Sequence, residues 1–159
     1  MKKLHTEDDI QEMLEQSLRP SWRVGIVYST FYKEEIKTMV DGAVEKLVQI
    51  GMKKENISLH PVTGSYEIPL IGAALAKNKS VDALIGLGII VEGETHHARL
   101  VAENTARGMM DIQTTFALPF ANEVLYVDTL KLAQDRLDKG AIAALCVLHS
   151  LATLGSLQS

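Results

Sequence analysis

The sequence predicts a three-layer α/β/α fold, with helices on both faces of a four-stranded parallel sheet, and three observations carry that prediction. Strand-like and helix-like stretches alternate as β-α-β-α-β-α-β-α-α, the order that right-handed crossovers produce when they build a parallel sheet. The run Ala83-Leu-Ile-Gly-Leu-Gly-Ile-Ile-Val91 is apolar without alternation, as suits a strand buried on both faces. At 159 residues, 47% of them hydrophobic, the chain suffices for one domain; such a domain buries roughly two-thirds of its unfolded surface. No internal repeat, low-complexity tract or linker argues for a second.

Each element has a local reason. Residues 1–22 are the most polar part. Thr6 offers an N-cap before Glu7, Asp8 and Asp9, and Ile10, Met13, Leu14 and Leu18 recur at helical spacing, giving a short amphipathic N-terminal arm. Pro20 ends it by pushing Arg19 out of the helical region. Residues 23–159 make the single α/β domain, and its first buried strand is Arg23-Val-Gly-Ile-Val-Tyr-Ser29. Ile36, Met39, Val40, Ala43, Val44, Leu47 and Val48 follow at steps of three and four, which predicts a helix closed by Gly51. Residues 57–63 read as a second strand, put at the sheet edge by Pro61, whose missing N–H does least harm there. A helix starting around Pro69 runs to about Lys77. After the third strand, a helix from about His96 to Ala117 carries Leu100, Val101, Thr105, Met109, Ile112 and Phe116 on one side, with Gly108 expected to pack closely on a neighbour. Residues 119–127 supply the fourth strand although Asn122 and Glu123 interrupt it, and Asp128 or Thr129 caps a short helix through Arg136. Residues 141–154 are apolar nearly all round, so that helix is either central to the core or covered by another subunit.

The totals exclude some partners. Sixteen basic against twenty acidic residues give a net charge of −4, and no basic patch is interleaved with aromatics, so a metabolite rather than nucleic acid is the expected partner. Cys146 is the one cysteine, which rules out an intrachain disulfide; in an apolar helix it is expected to be a packed thiol, not a nucleophile. With no signal-peptide core at the start and no apolar run of roughly 18 residues, the expectation is a cytoplasmic protein without a membrane partner.

Candidate functional residues gather after the carboxyl ends of strands, where open α/β sheets bind ligands. Foremost is the turn Gly88-Ile-Ile-Val-Glu-Gly-Glu-Thr-His-His97. Gly93 lets the backbone approach a ligand, Thr95 can cap the following helix, and the free N–H groups of its first turn form an anion site. His97 falls in that turn and is either a capping histidine or an imidazole that exchanges protons near neutral pH. Phe31, past the first strand, either covers the sheet end or offers a flat face for stacking a planar ring. Glu67 either complements a helix dipole or accepts hydrogen bonds from a polyhydroxy chain. Arg136 and Lys139 are a helix-end cationic pair or phosphate ligands. Gly86-x-Gly88 with Gly93 is not a dinucleotide fingerprint, because the third glycine comes two positions late and the first two lie inside the strand. A phosphate-loop Gly-Lys-Ser/Thr is also missing. Adjacent His96 and His97 point about 100° apart on a helix, which argues against a metal pair. His5, His60 and His149 read as satisfied or solvated histidines.

Three stretches together, Val62-Thr-Gly-Ser-Tyr-Glu-Ile-Pro69, Gly88-Ile-Ile-Val-Glu-Gly-Glu-Thr-His-His97 and Leu132-Ala-Gln-Asp-Arg136, resemble the 6,7-dimethyl-8-ribityllumazine synthase family, and the resemblance runs from about Arg23 to Leu154. It implies a flavodoxin-like sheet and a transferase of riboflavin biosynthesis. That enzyme condenses 5-amino-6-(D-ribitylamino)uracil with 3,4-dihydroxy-2-butanone 4-phosphate, releasing phosphate and water without metal or organic cofactor. By position, the resemblance implies that Phe31 stacks on the pyrimidine, that Ser65 and Glu67 hold the ribityl chain with Tyr66 also in the binding set, and that the backbone of Ile90 and Val91 reads the pyrimidine edge. Gly93, Glu94 and Thr95 would cradle the phosphate, with Arg136 and Lys139 as its cationic ligands, and His97 would shuttle protons. The family's sites lie between subunits of a homopentamer or a larger assembly of pentamers, so Asn122, Arg136 and Lys139 would come from the subunit next to the one giving Phe31, Glu67 and His97. The sequence departs from the family at Asn122, where many members have a bulky residue, at Tyr32, where Asn is usual, and at Thr63, where Pro is usual. The stretch from Arg136 to Gly140 is several residues shorter than in many bacterial members. Rival readings are an archaeal-type riboflavin synthase, against which the Gly-Glu-Thr-x-His turn speaks, and a non-catalytic ligand-binding or shell-forming homologue, motivated by Asn122 and Tyr32.

Overall fold

The computed structural model describes residues 6–158, so His5 lies outside it. Strands β1 (Val24–Ser29), β2 (Ile57–Val62), β3 (Ala83–Val91) and β4 (Phe120–Val127) form one parallel sheet in the order β2-β1-β3-β4. The three-layer fold with its four strands is therefore as the sequence predicts, and Pro61 lies on an edge strand that pairs only with β1. The helices are α1 (Glu7–Ser17), α2 (Lys33–Ile50), α3 (Ile68–Lys77), α4 (His97–Phe116), α5 (Leu130–Gln134) and α6 (Lys139–Ser156). A 3-10 turn, Ser65–Glu67, leads into α3.

The period of two along β3 divides the core. Ala83, Ile85, Leu87 and Ile89 face one cluster with α1, α2 and α6, while Leu84 faces a second with Ile68, Met109 and Ile112. Gly86 and Gly88 fall on the second face. A Cβ on Gly86 would lie 2.5 Å from the Met109 Cε, and one on Gly88 only 2.3 Å from the Ser65 Oγ. These glycines are thus close-approach positions that let α4 and the Ser65 turn rest on the sheet. Gly108 does the same against Pro69, as expected. Between helices, a Cβ on Gly140 would lie 2.0 Å from the carbonyl oxygen of Met39, so α6 enters against the α2 backbone.

Local signals explain the helix ends. Thr6 and Asp9 form a reciprocal capping box on α1, with Asp9 N–H donating to the Thr6 hydroxyl at 3.1 Å and Thr6 N–H to the Asp9 carboxylate at 2.8 Å. Leu14 is fully buried, with Ile10 and Leu18 beside it, but Met13 is exposed. Gly51 closes α2 at φ 128°. Val48 is exposed, contrary to the predicted stripe, because at 100° per residue it lies about 120° around from Ile36. On α4, Thr105, Met109 and Ile112 are buried while Leu100 and Phe116 are exposed. The final helix packs inside the chain on one side, burying Ala143, Ala144, Leu145, Val147, Leu148 and Leu151 against α2 and the sheet. By length and composition it also reaches the measure of a membrane span, which the lengths of apolar runs did not foresee. Its outward side carries Cys146, exposed rather than packed as predicted. Partial desolvation by its neighbours and then the Glu123 carboxylate push this thiol up, away from the thiolate form.

Two positions work against stability. Tyr32, the N-cap of α2, is left-handed at φ 55° and ψ 56° and makes no side-chain cap. A β-carbon in that region costs about 1–2 kcal/mol, and Asn tolerates it better. We predict that Tyr32→Asn raises Tm by about 2 °C; a lower Tm in a thermal scan would mean that the ring's packing outweighs the backbone cost. Glu123 stands on β4 between Asn122 and Val124, and burial raises its carboxyl above the ordinary 4.5; Lys139 opposes that and Asp138 adds to it. With the folded value raised, the wild type loses stability as pH climbs from the unfolded value through the folded one. Glu123→Gln should therefore melt higher than wild type at pH about 7, with the gap closing below pH about 4. A gap that does not change between those pH values would refute a charge-burial cost.

Candidate active site

The chain passes from β1 outward to β2, then crosses back to β3 on the other side of β1. The loops after β1 and β3 therefore leave in opposite directions and open a crevice at their carboxyl ends. A cleft of about 700 Å³ lies there. The β1 loop contributes Ser29, Phe31 and Tyr32, the β2 loop Gly64, Ser65, Tyr66 and Glu67, the end of β3 Ile89, Ile90 and Val91, and α4 contributes His97, Ala98, Leu100, Val101 and Asn104.

Hydrogen bonds fix the first two loops to each other. Thr30 N–H donates to the Val62 carbonyl at 3.0 Å, the Thr30 hydroxyl to the Thr63 carbonyl at 3.1 Å, and Phe31 N–H to the buried Ser29 hydroxyl at 3.2 Å. Phe31 is held at its backbone while the residue stays 60% exposed and lines the cleft, as a stacking surface must. A Cβ on Gly64 would sit 3.6 Å from the Phe31 ring and 3.7 Å from the Glu67 Oε1, so ring and carboxylate flank the same glycine. Ser65 is buried on Gly88 and forms part of the cleft wall. Tyr66 is exposed at its mouth.

His97 is the first residue of α4, and its N–H donates to the Thr95 hydroxyl at 3.4 Å. Thr95 thus serves the helix start from one residue before the N-cap, His96. Gly93, Glu94 and Thr95 do not line the cleft themselves; they connect Val91 to His97, both of which do. Added bulk at Gly93 would meet nothing within 4 Å. Among the described residues no protein acceptor stands against the N–H groups of Glu94, Thr95 or His96. Unpaired amides beside a helix N-terminus favour an anion.

Besides the Gly93–Thr95 turn, three predicted residues are not brought to this cleft within one chain. Asn122 lies on the edge strand β4 with its Oδ1 accepting the Val124 N–H at 3.0 Å. Arg136 is exposed and donates from Nη1 to the Leu132 carbonyl at 2.6 Å. Lys139 begins α6. Conversely, Leu100, Val101 and Asn104 line the cleft and were not proposed for it. Their signal was available, since 97, 100, 101 and 104 share one helical face. Two further histidines lie away from the cleft: burial lowers His60, whose Nε2 is 2.8 Å from the Ser58 hydroxyl, and His149 is half-buried on α6. Among the described residues no group of three His, Cys, Asp or Glu side chains could hold a metal ion.

Comparison with known proteins assigns the chain to a family. The family model for 6,7-dimethyl-8-ribityllumazine synthase matches residues 21–154. A protein of that name from Burkholderia ambifaria (strain MC40-6) is 40% identical over 123 residues, 77% of this chain and 72% of the relative. Another, from Burkholderia mallei (strain SAVP1), is 39% identical over 123 residues, 77% of this chain and 71% of its own. The family match spans all four strands and the three loops that make the cleft, and on that ground the chain belongs to the 6,7-dimethyl-8-ribityllumazine synthase family.

Proposed function

We propose that this protein condenses 5-amino-6-(D-ribitylamino)uracil with 3,4-dihydroxy-2-butanone 4-phosphate to give 6,7-dimethyl-8-ribityllumazine, a step of riboflavin biosynthesis, with release of phosphate and water. The observation that carries this reading is the convergence of Phe31, Glu67 and His97 on one cleft, with the amide-rich turn Gly93–Thr95 directly preceding His97, in a chain of this family. Phe31 stacks on the pyrimidine, whose edge meets the backbone of Ile90 and Val91. Ser65 and Glu67 hold the ribityl hydroxyls, with Tyr66 at the mouth. The amides of Gly93, Glu94 and Thr95 and the Thr95 hydroxyl take the phosphate. His97 moves protons during imine formation and phosphate elimination.

The cationic part of the clamp, Arg136 and Lys139, together with Asn122, belongs in this reading to a neighbouring subunit, because within one chain these residues lie off the cleft. The working form is then a cytoplasmic homopentamer or an assembly of pentamers. Much of the rate comes from holding two reactants in register, which is worth about 7–11 kcal/mol in well-oriented cases. A single proton-transfer group adds about 10²- to 10⁴-fold.

Incubating the purified protein with both substrates should generate lumazine fluorescence, and a dark reaction from folded protein would refute the reading. His97→Ala should lower kcat by about 10²-fold while leaving measurable turnover; complete loss in a folded variant would contradict this division of labour. Arg136→Ala should raise KM for the phosphorylated ketone and leave KM for the pyrimidine alone. Equal KM values for the ketone in variant and wild type would remove Arg136 from the clamp.

A further inference from the structure

Glu92 holds an unusual place at the root of the Gly93–Thr95 turn. Its N–H still pairs with the Val127 carbonyl at 2.8 Å, extending the β3–β4 pairing one residue beyond the strands. Its Oε1 accepts the Gly93 N–H at 3.0 Å, and its Oε2 accepts the Tyr126 hydroxyl. Tyr126 stands opposite Ile90 in register, which makes it the diagonal neighbour of Glu92 across the two strands. The basic side chain nearby that feels the Glu92 charge, Arg99, is already engaged with Glu103 at 2.7 Å. Of the successive amides in the turn, those of Glu94, Thr95 and His96 are open and the first is taken, and it is taken by an anion.

We infer that Glu92 is a resident counter-anion of this turn, pinned by Tyr126, and that it sets how tightly the site holds phosphate. The inference rests on the proposed role of the turn as the phosphate cradle. An arriving phosphate must either displace the carboxylate from Gly93 N–H or settle beside it, and like charges a few ångströms apart repel in both cases. Tyr126 makes the displacement harder by holding the second carboxylate oxygen. The site thereby trades tight capture of the phosphorylated ketone for ready departure of the phosphate it eliminates. Glu92 and Tyr126 are positioning residues that act through the Gly93 amide.

Calorimetric titration of inorganic phosphate into the assembled protein, run beside steady-state kinetics, tests this. Glu92→Gln keeps an acceptor for Gly93 and removes the charge. It should bind phosphate about tenfold more tightly, lower KM for the phosphorylated ketone and leave KM for the pyrimidine unchanged. The gain should shrink at about 1 M salt. Tyr126→Phe should shift phosphate affinity in the same direction by less. Unchanged phosphate affinity in Glu92→Gln overturns the inference, as does weaker affinity, the mark of a residue that only shapes the turn. Lumazine formation by the wild type together with either result would sink the counter-anion alone. A wild type that makes no lumazine, with a Glu92→Gln variant that binds phosphate more tightly, would sink the proposed reaction alone.

Discussion

The distance of closest approach to β3 governs this structure. Where Gly86 and Gly88 leave one face of the strand without side chains, Met109 of α4 and Ser65 of the β2 loop come within reach that any Cβ would forbid. That contact sets the height of α4 above the sheet and seats the Ser65–Glu67 turn beside the end of β3. The cleft exists because these two pieces and the β1 loop meet there. The opposite face of the same strand carries Ile85, Leu87 and Ile89 and belongs to the larger core cluster. One strand thus anchors the hydrophobic core on one side and shapes the cleft on the other.

The chemistry drawn from the cleft is modest residue by residue. An aromatic ring left exposed, a carboxylate, an imidazole on the first turn of a helix and a short row of unpaired amides do not amount to a strong catalyst individually. Their value in the proposed reaction lies in a rigid arrangement, since the two tied loops and the helix start fix where each reactant sits before any proton moves. The turn after β3 is the electrostatic centre. In the proposed reading its amides attract an anion and the carboxylate that begins it opposes one, so phosphate affinity would be the difference of two effects on the same few atoms.

The fold was legible in the sequence to within a residue or two at most element ends, for identifiable reasons. The unbroken apolar run of β3, the spacing of Ile36 through Leu47, Gly51 after α2 and Pro61 on an edge strand are local statements that tertiary structure had no cause to override. Misreadings fell where the outcome depends on angle or on what covers a surface. Val48 and Met13 fit a helical spacing but point past the buried stripe, and Cys146 lies on the side of α6 that the chain does not cover. Leu100 fits the apolar spacing of a core face yet lines the cleft, because that spacing cannot tell a core wall from a cleft wall.

By itself the sequence determined the order of elements, the two-faced burial of β3 and the residues able to stack, accept, shuttle protons or bind an anion, because these follow from composition and period along the chain. The tertiary structure decided which of them share a cleft. The strand order β2-β1-β3-β4 brings the ends of β1, β2 and β3 side by side, so Phe31, Glu67 and His97 meet, while Asn122 on β4 and Arg136 and Lys139 beyond it do not. Strand order is a long-range property fixed by how the crossovers pack, and no local pattern in the chain encodes it.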